Sequence, residues 1–168
     1  MANSDVILSV KDLTKHFPVN KRTAKRTGST AVKAVDGISF DLKRGETLGL
    51  VGESGCGKTT AGRTILKLIE PTAGSITFEG QDITALSPQQ MRPLRSQMQI
   101  IFQDPYSALN PRQTVGTIIA SPFEIQGIEP KGGTKQAVQE LMERVGLNPE
   151  HYNRYPHEFS GGQRQRIG

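Results

Sequence analysis

The chain has 168 residues, with 21 Lys and Arg against 16 Asp and Glu, a net charge of +5. That length suits one modest domain, and the small basic excess fits nucleotides, nucleic acid or lipid headgroups as partners without selecting among them. Eighteen Gly and ten Pro are too few for a collagen-like or low-complexity chain, and one Cys cannot form an internal disulfide, so a stapled secreted scaffold is excluded.

In chain order, residues 6–13 alternate loosely and predict a strand. Asp5, Lys11 and Asp12 interrupt the only early apolar stretch, so nothing there reads as an export signal. No apolar run approaches the roughly eighteen residues of a membrane span. Residues 20–30, rich in Lys, Arg, Thr and Gly, predict a loop. Its cations Lys21, Arg22, Lys25 and Arg26 carry no interleaved aromatic of the kind that stacks bases, so a solvated surface is the better reading. Ile38, Phe40 and Leu42 alternate with polar residues and predict a second strand.

Residues 47–51 form a short apolar run, the pattern of a strand buried on both faces of a parallel sheet. A Gly-rich loop follows, then a helix with Ala61, Ile65, Leu66 and Ile69 on one side that Pro71 stops. Residues 74–78 predict another strand. Ser87 and Pro88 open a short helix that Pro93 limits, and residues 98–102 repeat the buried-strand pattern. Beyond Gln103 the strand signal fades. Residues 114–123 and 134–145 predict helices, the second with Val138, Leu141, Met142 and Val145 on one face, Thr134 as its cap and Gly146 at its end.

Two constellations carry chemistry. Gly52, Glu53, Ser54, Gly55, Cys56, Gly57, Lys58 and Thr59 match G-x-x-x-x-G-K-[ST], the phosphate loop, placed between a predicted strand and a helix. Its glycines let successive N–H groups point at a phosphate, and the helix N-terminus adds partial positive charge. Lys58 would neutralise the β- and γ-phosphates, and the Thr59 hydroxyl would ligate Mg²⁺. Nucleoside triphosphate binding is the strongest inference from the residues alone. The second is Phe159-Ser160-Gly161-Gly162-Gln163-Arg164-Gln165-Arg166, in which Ser160 and Gln163 form a capping box. Capping leaves unexplained Gly161 and Gly162, each costing up to ~1 kcal/mol in a helical turn. Glycines there let a ligand approach the backbone of a helix N-terminus that attracts anions.

With both motifs and the segment from Ile101 to Arg112 in view, the chain resembles an ABC transporter ATP-binding subunit over nearly its whole length. The residues after Gln103 and the basic insertion after Phe17 look most like the oligopeptide and dipeptide importer branch. The resemblance implies an α/β fold: a P-loop NTPase core with an antiparallel β subdomain and a helical insertion, incomplete at the C-terminus. It implies a core with a β-rich edge over residues 1–102, a helical subdomain contacting the permease over 103–159, and the signature motif over 160–168. It implies ATP and Mg²⁺ as cofactors. Phe17 would stack on adenine and Thr60 would contact the α-phosphate. Gln103 would sense Mg²⁺ or the attacking water and couple to the membrane subunits. Ser160, Gly161, Gly162 and Gln163 would reach the γ-phosphate held by an opposite subunit. The implied partners are integral membrane permeases, a second ATP-binding subunit and, indirectly, a solute-binding protein, at the cytoplasmic face of the cell membrane. No nucleic acid is implied, since a soluble relative acting on DNA or ribosomes would call for coiled-coil or zinc-binding insertions.

One departure stands out. The sequence ends just after the signature, so the family's second acidic motif and its switch histidine have no counterpart here, and His151 and His157 precede the signature. The expectation is therefore the N-terminal part of a peptide-import ATPase, inactive in hydrolysis by itself.

Overall fold

The computed structural model describes residues 5–102 and 109–168. It divides into two compact units, Met1–Met91 and Arg92–Gly168.

The first unit is built on an antiparallel sheet. β1 (Val6–Pro18) pairs with β2 (Ala31–Lys43) on one side and β3 (Ala73–Phe78) on the other, and β4 (Gln81–Asp82) completes the order β2-β1-β3-β4. β1 runs five residues past its predicted end because β2 pairs with it through Phe17↔Val32 and Pro18↔Ala31. Pro18 is tolerated as the terminal residue, where a missing N–H costs little. Alternation, reset by the irregularity between Val10 and Leu13 in β1, leaves Val10, Leu13, Val35 and Ile76 buried. The expected loop between β1 and β2 instead carries a short helix, α1 (Lys21–Thr27), closed beneath by Val19 N–H donating to Thr30 O at 3.0 Å. Its good helix formers Lys, Arg and Ala outweigh the loop signal of the flanking Gly and Thr. Arg22, Lys25 and Arg26 are exposed on it.

Two expectations of buried parallel strands are corrected. Residues 46–53 and 98–102 adopt no regular structure, and Val51 is 94% and Ile101 80% exposed. A parallel strand exists only when neighbours supply its hydrogen bonds, and among the described residues no strand pairs with either run. α2 (Lys58–Ile65) follows the glycine loop and ends earlier than predicted, with Leu66 as its C-cap; beyond it Lys67 takes a positive φ of 53°. The Lys67 ammonium is buried, where it meets the Glu70 carboxylate and donates to Thr84 O at 2.5 Å. α3 (Pro88–Met91) has the expected Ser87 start, with Ser87 Oγ accepting from Gln90 N–H at 3.3 Å.

The second unit is helical: α4 (Val115–Gln126), α5 (Thr134–Arg144) and α6 (Gly161–Ile167), with 3-10 turns at Pro93–Ser96, Pro149–Asn153 and Pro156–Glu158. Thr114 caps α4 by accepting from Thr117 N–H. Gly133, not Thr134, is the cap of α5, its φ of 88° being one that glycine adopts freely. Val138 and Met142 bury the predicted face of α5 with Leu109, Val115, Leu147, Phe159 and Ile167, whereas Leu141 and Val145 at its edge stay partly exposed. Among the described residues no helix is long and apolar enough to cross a membrane.

Candidate functional site

The glycine loop is shaped by its seat on β2. Gly57 has φ +100°, and a Cβ there would lie 2.0 Å from the Ala34 carbonyl oxygen, so only glycine lets the loop rest against that strand. Gly55 also has a positive φ, 83°, but nothing lies within 4 Å of its Cβ position. A turn closed by Cys56 N–H donating to Glu53 O at 3.3 Å delivers the chain into α2.

At the start of α2 the backbone offers donors. Ala61 N–H bonds to Gly57 O at 2.8 Å, so the N–H groups of Lys58, Thr59 and Thr60 precede the first intrahelical donor; no side chain caps this end and no acidic residue lies in the first turn. The Lys58 ammonium folds over the loop, donating to Gly52 O and Glu53 O at 2.7 Å each, with Cys56 Sγ 3.6 Å away. Cys56 is exposed, as are Ser54 and Thr59. Three positive features therefore converge: uncapped N–H groups, the end of a helix dipole and a lysine cation. That donor set fits a polyphosphate.

Beside Lys58 a cleft of about 290 Å³ opens between loop and sheet, walled by Cys56, Leu50 and Val51 on one side and Lys33, Val35 and Asp36 on the other. Asp36 accepts from His16 Nε2 at 2.8 Å and from Lys33 Nζ at 3.1 Å, and these two bonds, His16 first, hold its carboxyl below the ordinary 3.8. Sequence reasoning missed this cluster. His16 and Lys33 become neighbours only through the β1–β2 register, although the Lys33–Asp36 spacing of three was visible.

Phe17 lies in the same unit but is not among the residues lining that cleft. It is 39% exposed, with Lys15 Nζ 5.0 Å from its ring centroid and that ammonium donating to Glu70 O. Gln103 lies outside the described residues. Ser160 and Gln163 form the expected capping box at the start of α6: Ser160 Oγ accepts from Gln163 N–H at 3.3 Å, and Gln163 Oε1 accepts from Ser160 N–H at 2.9 Å. Gly161 opens the helix and Gly162 has open space at its Cβ position. His151 packs edge-on against Phe159 and His157 stacks on Tyr155, so both have ordinary packing partners.

An antiparallel β subdomain, a phosphate loop opening a helix and a helical unit ending in a serine-capped, glycine-containing turn define a P-loop nucleotide-binding fold of the ATP-binding-cassette type. The chain belongs to the ABC transporter family, whose profile matches residues 35–168. It is 52% identical over 168 residues to the oligopeptide transport ATP-binding protein AppF of Bacillus subtilis, covering 99% of this chain and 51% of that protein. It is 47% identical to the di/tripeptide transport ATP-binding protein DppF of Pseudomonas aeruginosa, covering 97% and 50%. The chain thus spans about half the length of the curated relatives it matches. Among solved structures, the ATP-binding cassette MJ0796 in a dimeric post-hydrolysis state with ADP and Pi has the same fold, with TM-score 0.78 at 23% identity, covering 95% of this chain and 66% of that one. CbiO1 of Clostridium perfringens, part of the transporter complex CbiONQ, matches with TM-score 0.71 at 26% identity, covering 97% and 59%.

Proposed function

We propose that this chain is the nucleotide-binding part of an ATP-hydrolysing subunit that energises peptide import. One observation carries the reading: Lys58 stands over an uncapped helix N-terminus, its ammonium held 2.7 Å from two carbonyls of the loop that would cradle the phosphates. The names of the relatives support peptides as the transported class, because the similarity to peptide transport proteins runs through nearly all of this chain.

ATP supplies a phosphoanhydride bond, and Mg²⁺ offsets the charge that builds on its oxygens. The backbone of Gly52, Glu53, Ser54, Gly55, Cys56 and Gly57 would wrap the phosphates. Lys58, whose ammonium now rests on the Gly52 and Glu53 carbonyls, would hold the β- and γ-phosphate oxygens through charge-assisted bonds. Thr59 would hold the metal through its hydroxyl, Thr60 would meet the α-phosphate, and Phe17 would stack on the base. Gln103 would orient the attacking water or the metal. Ser160, Gly161, Gly162 and Gln163 close on the γ-phosphate of a second ATP-binding subunit, and the helical segment docks on integral membrane permeases fed by a solute-binding protein. The subunit is then peripheral, on the cytoplasmic face of the membrane.

The test is steady-state hydrolysis by the complete gene product, wild type against Lys58→Ala. The variant is expected to lose turnover. Unchanged ATPase rates would overturn the assignment.

A further inference from the structure

α6 is fastened to α5 in a way the nucleotide-binding reading does not use. Its flanks are buried, Phe159 just before the cap and Ile167 in the last turn, both in the core formed with Val138, Met142 and Leu147. α5 ends in a Schellman arrangement: Gly146, at φ 71°, donates its N–H to Glu143 O at 2.9 Å, and Leu147 donates to Met142 O at 2.8 Å. The carbonyls of Val145 and Gly146 lie beyond what that motif satisfies. Arg166 reaches them from α6, its Nη1 donating to Val145 O at 3.0 Å and Gly146 O at 3.3 Å. The same guanidinium donates through Nε to the carbonyl of Gly162 at 3.4 Å, in the first turn of its own helix.

One planar cation therefore bridges the glycine turn and the C-terminal end of α5. The placement is favourable twice over, because a helix C-terminus attracts a cation and the rigid fork of guanidinium donors loses little freedom in making several bonds. A capping box orders the other end of the turn. The turn is thus tied to the end of α5 by the Arg166 guanidinium as well as by the shared core.

We infer that Arg166 is a positioning residue, which fixes the aim of the Ser160–Gln163 turn by clamping the Gly162 carbonyl to the C-terminus of α5. This rests on the reading of that turn as a γ-phosphate contact. The Arg166 guanidinium is engaged with the carbonyls of Gly162, Val145 and Gly146, so its effect is exerted through the turn. Its loss should spare binding at the chain's own phosphate loop and lower turnover.

The experiment uses the complete gene product and measures fluorescent-ATP affinity, steady-state kcat and KM, and the thermal midpoint. Gly162→Asp, which puts a carboxylate into the turn, is expected to stop turnover while leaving nucleotide affinity intact. Arg166→Gln is expected to lower kcat about tenfold, the equivalent of one hydrogen bond to a charged group, with affinity unchanged. Arg166→Lys, which keeps the charge but not the fork, should fall between. Gly146→Ala, strained at its positive φ and with its new Cβ 3.1 Å from Arg166 Nη1, should disturb the clamp from the α5 side and lower kcat in the same way. If Gly162→Asp turns over normally, the phosphate-contact reading fails. If it is inactive while Arg166→Gln and Gly146→Ala keep wild-type kcat, the positioning role fails. A kcat loss that merely tracks a lowered thermal midpoint also overturns it, by making Arg166 a structural cap alone.

Discussion

Substituting the two loop glycines one at a time separates backbone strain from steric exclusion. Both Gly55 and Gly57 have positive φ, 83° and 100°, so alanine at either position meets the conformational cost of about 1–2 kcal/mol that L-residues incur there. Only at Gly57 does the new Cβ meet an atom, the Ala34 carbonyl oxygen at 2.0 Å. A backbone oxygen cannot rotate away as a side chain does. Val35, the next residue, is buried, and β2 is hydrogen-bonded along β1, so the strand resists and the loop must move by about 1 Å to restore contact distance. Overpacking of this kind adds about 1–3 kcal/mol. Gly55→Ala should therefore lose about 1 kcal/mol and Gly57→Ala about 3 kcal/mol, read as the change in urea midpoint at constant slope in the absence of nucleotide. Because Lys58 is next in sequence, displacing the loop also displaces its N–H and ammonium, and a misplacement of about 1 Å is worth on the order of a hundredfold in a positioned interaction. Fluorescent-ATP titration of Gly57→Ala should show a loss of that order. Equal destabilisation by the two alanines would refute the seat of the loop on β2.

Phe17→Ala should weaken nucleotide affinity by about 1–3 kcal/mol, the value of one base–aromatic stack, and an unchanged titration would leave Phe17 as a packing residue for Lys15. Alkylation of exposed Cys56 places a bulky group beside Lys58 and in the cleft mouth, so it should block nucleotide binding and Mg-ATP should protect the thiol; equal labelling by mass spectrometry with and without Mg-ATP would contradict this. The Asp36 carboxyl titrates below its ordinary 3.8 because His16 and Lys33 hold its ionised form, so its contribution to stability is present above that value and is lost as pH falls through the lower folded one. The thermal midpoints of wild type and Asp36→Asn should accordingly differ at neutral pH and converge only as pH falls below the ordinary 3.8 and through the lowered folded value, and a gap that widens on acidification would reverse the assignment.

What the sequence determined by itself is local chemistry. The geometry of the glycine loop was legible because its parts are contiguous: glycines that adopt positive φ, then a lysine and a hydroxyl at the mouth of a helix. The capping box of Ser160 and Gln163 was legible for the same reason, both partners lying within one turn. Local signals also located β3 and α4, and helical spacing the buried Val138 and Met142 face of α5, since such patterns are properties of a single segment. Tertiary structure decided everything that needs a partner from elsewhere in the chain. Apolar runs at 47–51 and 98–102 state that something should cover them, not that a strand will form, because strand hydrogen bonds belong to the neighbour. His16 meets Asp36 and Lys33 only once the bulged β1–β2 register is set, and the steric exclusion at Gly57, beyond its positive φ, exists only because Ala34 arrives beneath it. Arg166 reads as one more basic residue in an Arg-Gln-Arg run until folding brings the Val145 carbonyl at the end of α5, twenty-one residues earlier, within 3.0 Å of its guanidinium.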